Sequence, residues 1–175
     1  ALATLAAECG EPARVHAFVC DVGDEAQVEQ AFADSVAALG EVRACFANAG
    51  VSSKGTLLTE MTLEEFRRIM AVNVDGVFLG IKHGVRAMRP GGVAGRGGSI
   101  VNLSSAAGKF AFPMRSPYSA AKFGIVGFTR QWRGRLPEPL CLTCQWRKRL
   151  PEPLSFTRQR RCRVGGRHSR PRSCR

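Results

Sequence analysis

No apolar run in this 175-residue sequence approaches the length of a membrane span. Nor is there a basic start followed by an apolar stretch, so no secretory leader is read. The sequence opens on Ala1 and not on Met, which suggests a fragment or a processed chain. Acidic residues almost vanish toward the end: residues 130–175 hold 14 Lys/Arg and 2 Asp/Glu, whereas residues 1–129 hold 12 of each. The net charge of +12, which alone hints at nucleic acid or an anionic membrane, therefore belongs to a basic tail behind a neutral part. A disulfide framework is also wanting. The seven cysteines are an odd number, and Cys20 and Cys45 lie in or beside apolar runs, where a thiol acts as a small hydrophobe. An odd count without a secretory signal fits a reducing cytoplasm.

What remains is enough chain for one domain with a real core. Residues 1–9 are Ala/Leu-rich and stop at Gly10, as the last turns of a helix would. Val15–Cys20 reads as a short buried strand. Asp24, with Gln27 three residues on, caps a helix that carries Val28, Ala31, Phe32, Val36 and Leu39 at helical spacing and stops at Gly40. Val42–Ala47 reads as another buried strand. Thr62 and Glu65 form a capping box for a long helix with Leu63, Phe66, Met70, Val74, Val77, Ile81, Val85 and Met88 on one face, ended by Pro90-Gly91-Gly92. Gly76, Gly80 and Gly84 repeat every four residues on it, which permits close packing on a sheet or on a second subunit. Ser99–Leu103 is a third strand, and a helix follows from about Ser116 to Thr129. This alternation argues an α/β domain with a parallel sheet.

Several residues in this frame suit chemistry. Tyr118 and Lys122 are four apart at the start of a helix and so share a face. A phenol ordinarily titrates at about 10, and an ammonium beside it favours the phenolate; such a pair can pass a proton to or from a substrate oxygen. Ser105, thirteen residues earlier, follows the third strand into a loop of small residues. Ligands of open α/β sheets bind beyond the carboxyl ends of the strands, and a hydroxyl there can stabilise charge on a carbonyl oxygen; alternatively Ser104 and Ser105 cap the strand exit. Asn73 falls on the apolar stripe between Met70 and Val74, where an amide is costly unless bonded. Asn48-Ala49-Gly50 follows a strand, and Gly50 allows a close backbone approach or makes a simple turn.

Ser105, Tyr118 and Lys122 at this spacing resemble the active-site triad of the short-chain dehydrogenases/reductases. Phe46-Ala-Asn-Ala-Gly-Val51 resembles the family's Asn-Asn-Ala-Gly turn, with Ala47 in place of the first Asn. Met70-Ala-Val-Asn-Val-Asp-Gly76 resembles the helix segment that bears a fourth catalytic residue, and Cys20-Asp-Val22 the strand end that touches adenine. The resemblance covers roughly residues 1–130. It implies a Rossmann-like doubly wound fold and reversible hydride transfer between NAD or NADP and a secondary alcohol or ketone. Tyr118 is then the general acid/base, Lys122 lowers its pKa and holds the nicotinamide ribose, and Ser105 polarises the substrate oxygen. Asn73 bends its helix and holds a water of a proton relay. Asp21, Val22, Asn48, Ala49, Gly50, Tyr118 and Lys122 are the implied cofactor-binding residues, although Asp21 also suits an ordinary turn. The family often pairs subunits through the long helix and the Tyr118 helix, so a homo-oligomer is implied.

The sequence departs from the family at both ends. The glycine-rich phosphate loop and the second strand, whose end separates NAD from NADP, have no counterpart, so the cofactor choice stays open. In the order 3-2-1-4-5-6 the strands at Val15–Cys20 and Val42–Ala47 would be the third and fourth, separated by the two without counterparts. The expectation is a sheet with a gap, poor folding of this chain alone and poor cofactor binding. After Arg130 the substrate loop and last strand find no match. Instead a near-repeat, 131–140 and 145–154, carries Pro, Arg and Cys, and residues 131–175 are expected to be mostly disordered. This tail, with Trp132 and Trp146, admits nucleic-acid binding. Cys141, Cys144, Cys162, His168 and Cys174 match no strong zinc spacing, so no metal site is assigned. Beside the oxidoreductase, two other classes stay open: an inactive enzyme-derived fragment, and a basic nucleic-acid-binding chain acting through residues 131–175.

Overall fold

The structure, a computed structural model, describes residues 15–89, 97–110 and 112–132, and the backbone of 140–145. The helix expected over residues 1–9 lies outside the described residues, as do residues 146–175. Helix α1, Glu25–Leu39, starts where the sequence places its cap: the Asp24 carboxylate accepts the Gln27 amide at 3.1 Å. It stops at Gly40, whose φ of 82° suits glycine and whose N–H bonds the Val36 carbonyl. Of its apolar face only Val28 is fully buried.

Strand β1, Ala44–Ala47, leads to the loop that carries residues 48–62. Helix α2, Leu63–Met70, is capped by the Thr62 hydroxyl on the Glu65 amide. The capping box is only half made, because the Glu65 carboxylate reaches the Lys54 amide instead. A π-helical turn, Ala71–Asp75, joins α2 to helix α3, Gly76–Met88. Strand β2, Gly98–Leu103, a short 3₁₀ turn at Ala106–Gly108, helix α4 at Ser116–Trp132 and strand β3 at Leu140–Gln145 complete the order. The sheet is parallel throughout, in the order β1-β2-β3, with Ala47 opposite Asn102 and Asn102 opposite Cys144. Both crossovers run through helices, as parallel strands require.

The core sits where α3 and α4 meet the sheet: Val77, Ile81, Met88, Ile100 and Ile125 form one buried cluster. Full burial of an Ile or Met side chain contributes about 1.5–3 kcal/mol. The glycine row of α3 packs within the chain. A Cβ on Gly76 would stand 2.8 Å from Val22 Cγ2, one on Gly80 3.8 Å from Ala47 Cβ, and one on Gly84 3.2 Å from Ile100 Cδ1. The row therefore lets α3 lie close on the sheet and on the 20–22 segment.

Three expectations need correction. The long helix is not one α-helix with one stripe. A π turn admits an extra residue, so the inward face before it shifts by one position. Ile69 and Asn73 are fully buried in the places that α-periodicity gives to Met70 and Val74, while Leu63 and Phe66 turn outward, 59% and 38% exposed. Second, Val15–Cys20 forms no strand and is not buried. Among the described residues no strand borders it, and Val19 is 96% exposed. β1 is likewise bonded on one side only and leaves Phe46 65% exposed. Third, regular structure continues past residue 130. Helix α4 runs to Trp132, and β3 lies along the far edge of β2 in the position of the expected last strand. A parallel strand needs only about five residues, and Leu140–Gln145 supplies them between proline-rich stretches that hide it. Among the described residues no helix is long and apolar enough to cross a membrane.

Candidate active site

Strand β2 delivers Leu103, Ser104 and Ser105 onto α4. The Lys122 ammonium donates to the Leu103 carbonyl at 3.0 Å, and the Ser104 hydroxyl donates to the Lys122 carbonyl at 2.8 Å. Lys122 is only 4% exposed; a buried charge requires such bonding. Its ammonium stands 5.6 Å from the centroid of the Tyr118 ring, one turn earlier on the helix. The four-residue spacing thus brings phenol and ammonium together, with Tyr118 half-buried. The Ser105 hydroxyl accepts the Ala107 amide at 3.2 Å and caps the 3₁₀ turn. A hydroxyl that accepts one bond still has its own proton to donate, so the capping and the catalytic readings of Ser105 are compatible.

The π turn aims Asn73 at the same place. Its amide group donates to the Val51 carbonyl at 2.8 Å and to the Ile69 carbonyl at 2.9 Å. Its Oδ1 is buried and bonded to no described residue. Gly50 explains the room around it: a Cβ there would lie 2.9 Å from Asn73 Oδ1 and 3.4 Å from Lys122 Nζ. An unsatisfied buried oxygen and a buried ammonium face one point in front of a bare α-carbon. A relay water requires such polar partners.

The residues expected to hold a cofactor divide. Val22, Asn48 and Ala49 line one cleft of about 200 Å³ between the 18–22 segment and the end of β1. Gly50 adjoins Asn73 and Lys122. Asp21 does not join them: its exposed carboxylate accepts the Gly23 amide at 2.9 Å, and its carbonyl accepts the Asp24 amide, an ordinary Asx turn ahead of α1. Cys20 and Cys45 line the same cleft as free thiols. Burial pushes the Cys45 thiol up to about 11, and burial with Asp21 and Asp24 beside it raises Cys20, which opposes a nucleophilic thiolate.

A family model for the short chain dehydrogenases matches residues 1–138. The chain belongs to the short-chain dehydrogenase family. It is 42% identical over 113 residues to 2,5-dichloro-2,5-cyclohexadiene-1,4-diol dehydrogenase of Sphingobium indicum, a match of 65% of this chain and 44% of that protein. To momilactone A synthase of Oryza sativa subsp. japonica it is 38% identical over 135 residues, 77% of this chain and 47% of the relative. The chain spans about half the length of these relatives. Among solved structures, a short-chain dehydrogenase/reductase from Brucella melitensis shares the fold, with a TM-score of 0.74 at 24% identity over 83% of this chain and 59% of the other. ElxO with NADP bound has a TM-score of 0.65 at 27% identity over 73% of this chain and 50% of its own.

Within this short-chain dehydrogenase frame, the sequence reading missed one pair. Arg115 Nη1 donates to the Ser52 hydroxyl at 2.8 Å. Arg115 closes a turn in which its amide bonds the Phe112 carbonyl, and Met114 takes a φ of 60°, a strained value for a side chain other than glycine. No sequence signal marked the pair: Arg115 stands just ahead of α4, and Ser52 lies 63 residues away.

Proposed function

We propose that this chain carries the catalytic centre of an NAD(P)-dependent oxidoreductase that interconverts a secondary alcohol and a ketone. The observation that carries the reading is the convergence of the Asn73 oxygen and the Lys122 ammonium on Gly50, with Tyr118 one turn away. Tyr118 gives its phenolic proton to the carbonyl oxygen in reduction and takes it back in oxidation. Lys122 holds positive charge beside the phenol, and a water between Asn73 Oδ1 and the ammonium resupplies the proton. Ser105 keeps a donor for the substrate oxygen and steadies the charge that gathers there.

The residues fit a nicotinamide cofactor. Val22, Asn48 and Ala49 share one cleft, and Gly50 leaves bare the approach to Lys122. Val22, Asn48, Ala49, Gly50, Tyr118 and Lys122 would hold the cofactor, which when bound supplies or accepts the hydride. Relatives named as dehydrogenases and reductases, among them levodione reductase of Leifsonia aquatica at 37% identity, support the class; the structure of ElxO with NADP bound supports the cofactor. Free Cys20 and Cys45 are in keeping with a cytoplasmic setting. A homo-oligomer is supported by the apolar face on α3 and α4, where Phe78 and Trp132 are 45% and 44% exposed beside Phe128.

The test is turnover of a panel of ketones by the whole chain with NADH and NADPH. Activity lost in Tyr118→Phe and Lys122→Met supports the reading; activity that survives both overturns it. One observation favours a second reading, an enzyme-derived chain inactive by itself: among the described residues, 15–20 have no strand partner and β1 is paired on one side only. Turnover of any ketone of the panel by the whole chain, lost in Tyr118→Phe, would sink that alternative.

A further inference from the structure

Residues 76–137 contain no aspartate or glutamate and ten Lys/Arg. The charged side chains that β2, α4 and the turn between them contribute are therefore all cationic, whereas from α2 the Glu65 carboxylate reaches the Lys54 amide. Tyr118 and Lys122 share one face of α4, and Arg115 stands immediately ahead of the helix, its carbonyl accepting the Ser119 amide at 2.9 Å. Segment 50–52 runs along that face in the opposite direction: Gly50 meets Lys122, and Ser52 meets Arg115. Segment 50–52 thus has a cation at each end, and Tyr118 lies between those two cations in sequence.

The two cations differ in how they are engaged. Lys122 is buried on the Leu103 carbonyl. Arg115 is exposed, and among the described residues its side chain has the Ser52 hydroxyl as a partner and no carboxylate. A guanidinium has five N–H donors in a planar fork that matches a carboxylate. The Ser52 bond and the turn at 112–115 hold this one in place while leaving most of its donors unused.

We propose that Arg115 is the specificity-determining residue of this site and receives the carboxylate of an oxo acid, or of the hydroxy acid in the reverse direction. The inference rests on the oxidoreductase reading above and names its substrate class. With the ketone oxygen on Tyr118 and Ser105, the Lys122 end of the segment is left to the cofactor and the Arg115 end to the rest of the substrate. A neutral substrate leaves the guanidinium in water. An anionic one gains charge-assisted hydrogen bonds from a donor already positioned.

The test compares 4-oxopentanoate with its methyl ester by calorimetric titration of the whole chain, with and without NADP. The acid is expected to bind at least about tenfold more tightly than the ester. Arg115→Gln, which removes the guanidinium, should abolish that preference while the variant still binds the ester. Arg115→Lys should restore part of it, and Ser52→Ala should weaken the acid alone. Equal binding of the two probes, no binding of either, or a preference that survives Arg115→Gln overturns the assignment. Titration needs no turnover, so the outcome is separate from that of the proposed chemistry. Ester reduction that is lost in Tyr118→Phe, together with equal binding of acid and ester, would keep the oxidoreductase and remove the role of Arg115.

Discussion

The Asn73 amide and the Val51 carbonyl are joined at 2.8 Å across 22 residues of sequence. This bond ties the π turn to the loop that leaves β1. Replacing Asn73 with Leu keeps the volume but leaves the Val51 and Ile69 carbonyls without their donors. The expected cost is about 1–3 kcal/mol for an orphaned buried polar group, read as a lower denaturation midpoint, together with loss of turnover. Unchanged stability in the Leu variant would show that the bond does not hold the loop.

Gly50 and Gly108 should separate chemistry from packing. A Cβ at position 50 meets Asn73 Oδ1 and Lys122 Nζ, so Gly50→Ala is expected to reduce activity with little change in melting temperature. At position 108 a Cβ meets the Lys122 backbone carbonyl at 2.7 Å, which cannot move aside as the end of a flexible side chain would. Gly108→Ala should destabilise by about 1–3 kcal/mol, as overpacking does. The check is to measure thermal unfolding and turnover side by side for both variants.

Two carboxylates at the start of α1 give the acid limb of stability a definite sign. The Gln27 backbone amide, and then its side chain, hold the Asp24 carboxyl below its ordinary value of 3.8. Lys82 and then His83 hold Glu25 below 4.5. A group depressed in the folded state adds stability that is complete above its ordinary value and is lost as pH falls through the depressed one. Unfolding midpoints should therefore be level down to the ordinary values and fall at lower pH. Asp24→Asn keeps a cap acceptor but removes the charge, and Glu25→Gln removes the ion pairs with Lys82 and His83. The double variant should show a flatter acid limb. An acid limb as steep as the parent's would contradict this.

Behind the site, the Asn102 side chain donates to the Thr129 hydroxyl at 3.0 Å, fastening α4 to β2, and both residues are buried. Thr129→Val should cost about 1–3 kcal/mol by leaving that amide unpaired. Asn102→Leu combined with Thr129→Val should recover most of the loss, because both polar partners are then gone. Additive losses in a denaturant double-mutant cycle would show that the pair is not coupled.

The apolar face of α3 and α4 makes an assembly prediction. Phe78, Val85, Phe128 and Trp132 border a hollow of about 210 Å³ on that face. Sedimentation should show a dimer or larger species for the whole chain. Phe78→Glu should move it toward the monomer; a parent that sediments as a monomer at micromolar concentration would end the idea.

Local signals were the most legible in the sequence. The Asp24 and Thr62 caps, the Gly40 stop and the Tyr118–Lys122 pairing depend on neighbours a few residues apart, and each formed where spacing alone placed it. Strands fared less well, because a strand is defined by its partner. Val15–Cys20 has the composition of a strand but no strand partner among the described residues, and Leu140–Gln145 has a partner in β2 but hides among prolines and arginines. The π turn was not legible: the resemblance implied only a bend at Asn73, α-periodicity predicts an unbroken stripe, and no composition rule marks where an extra residue is admitted. The Arg115–Ser52 bond joins residues 63 apart, a separation at which sequence spacing alone is silent.

The π turn carries a trade in its own geometry. Deleting one residue between Ala71 and Asp75 would let the helix run as a regular spiral, bring Leu63 and Phe66 back into register with Val77 and Ile81, and make a tougher, better-covered rod. It would also rotate the Asn73 carboxamide away from Val51 and from Lys122. The less regular helix is thus the one that brings two distant parts of the chain to a single buried point.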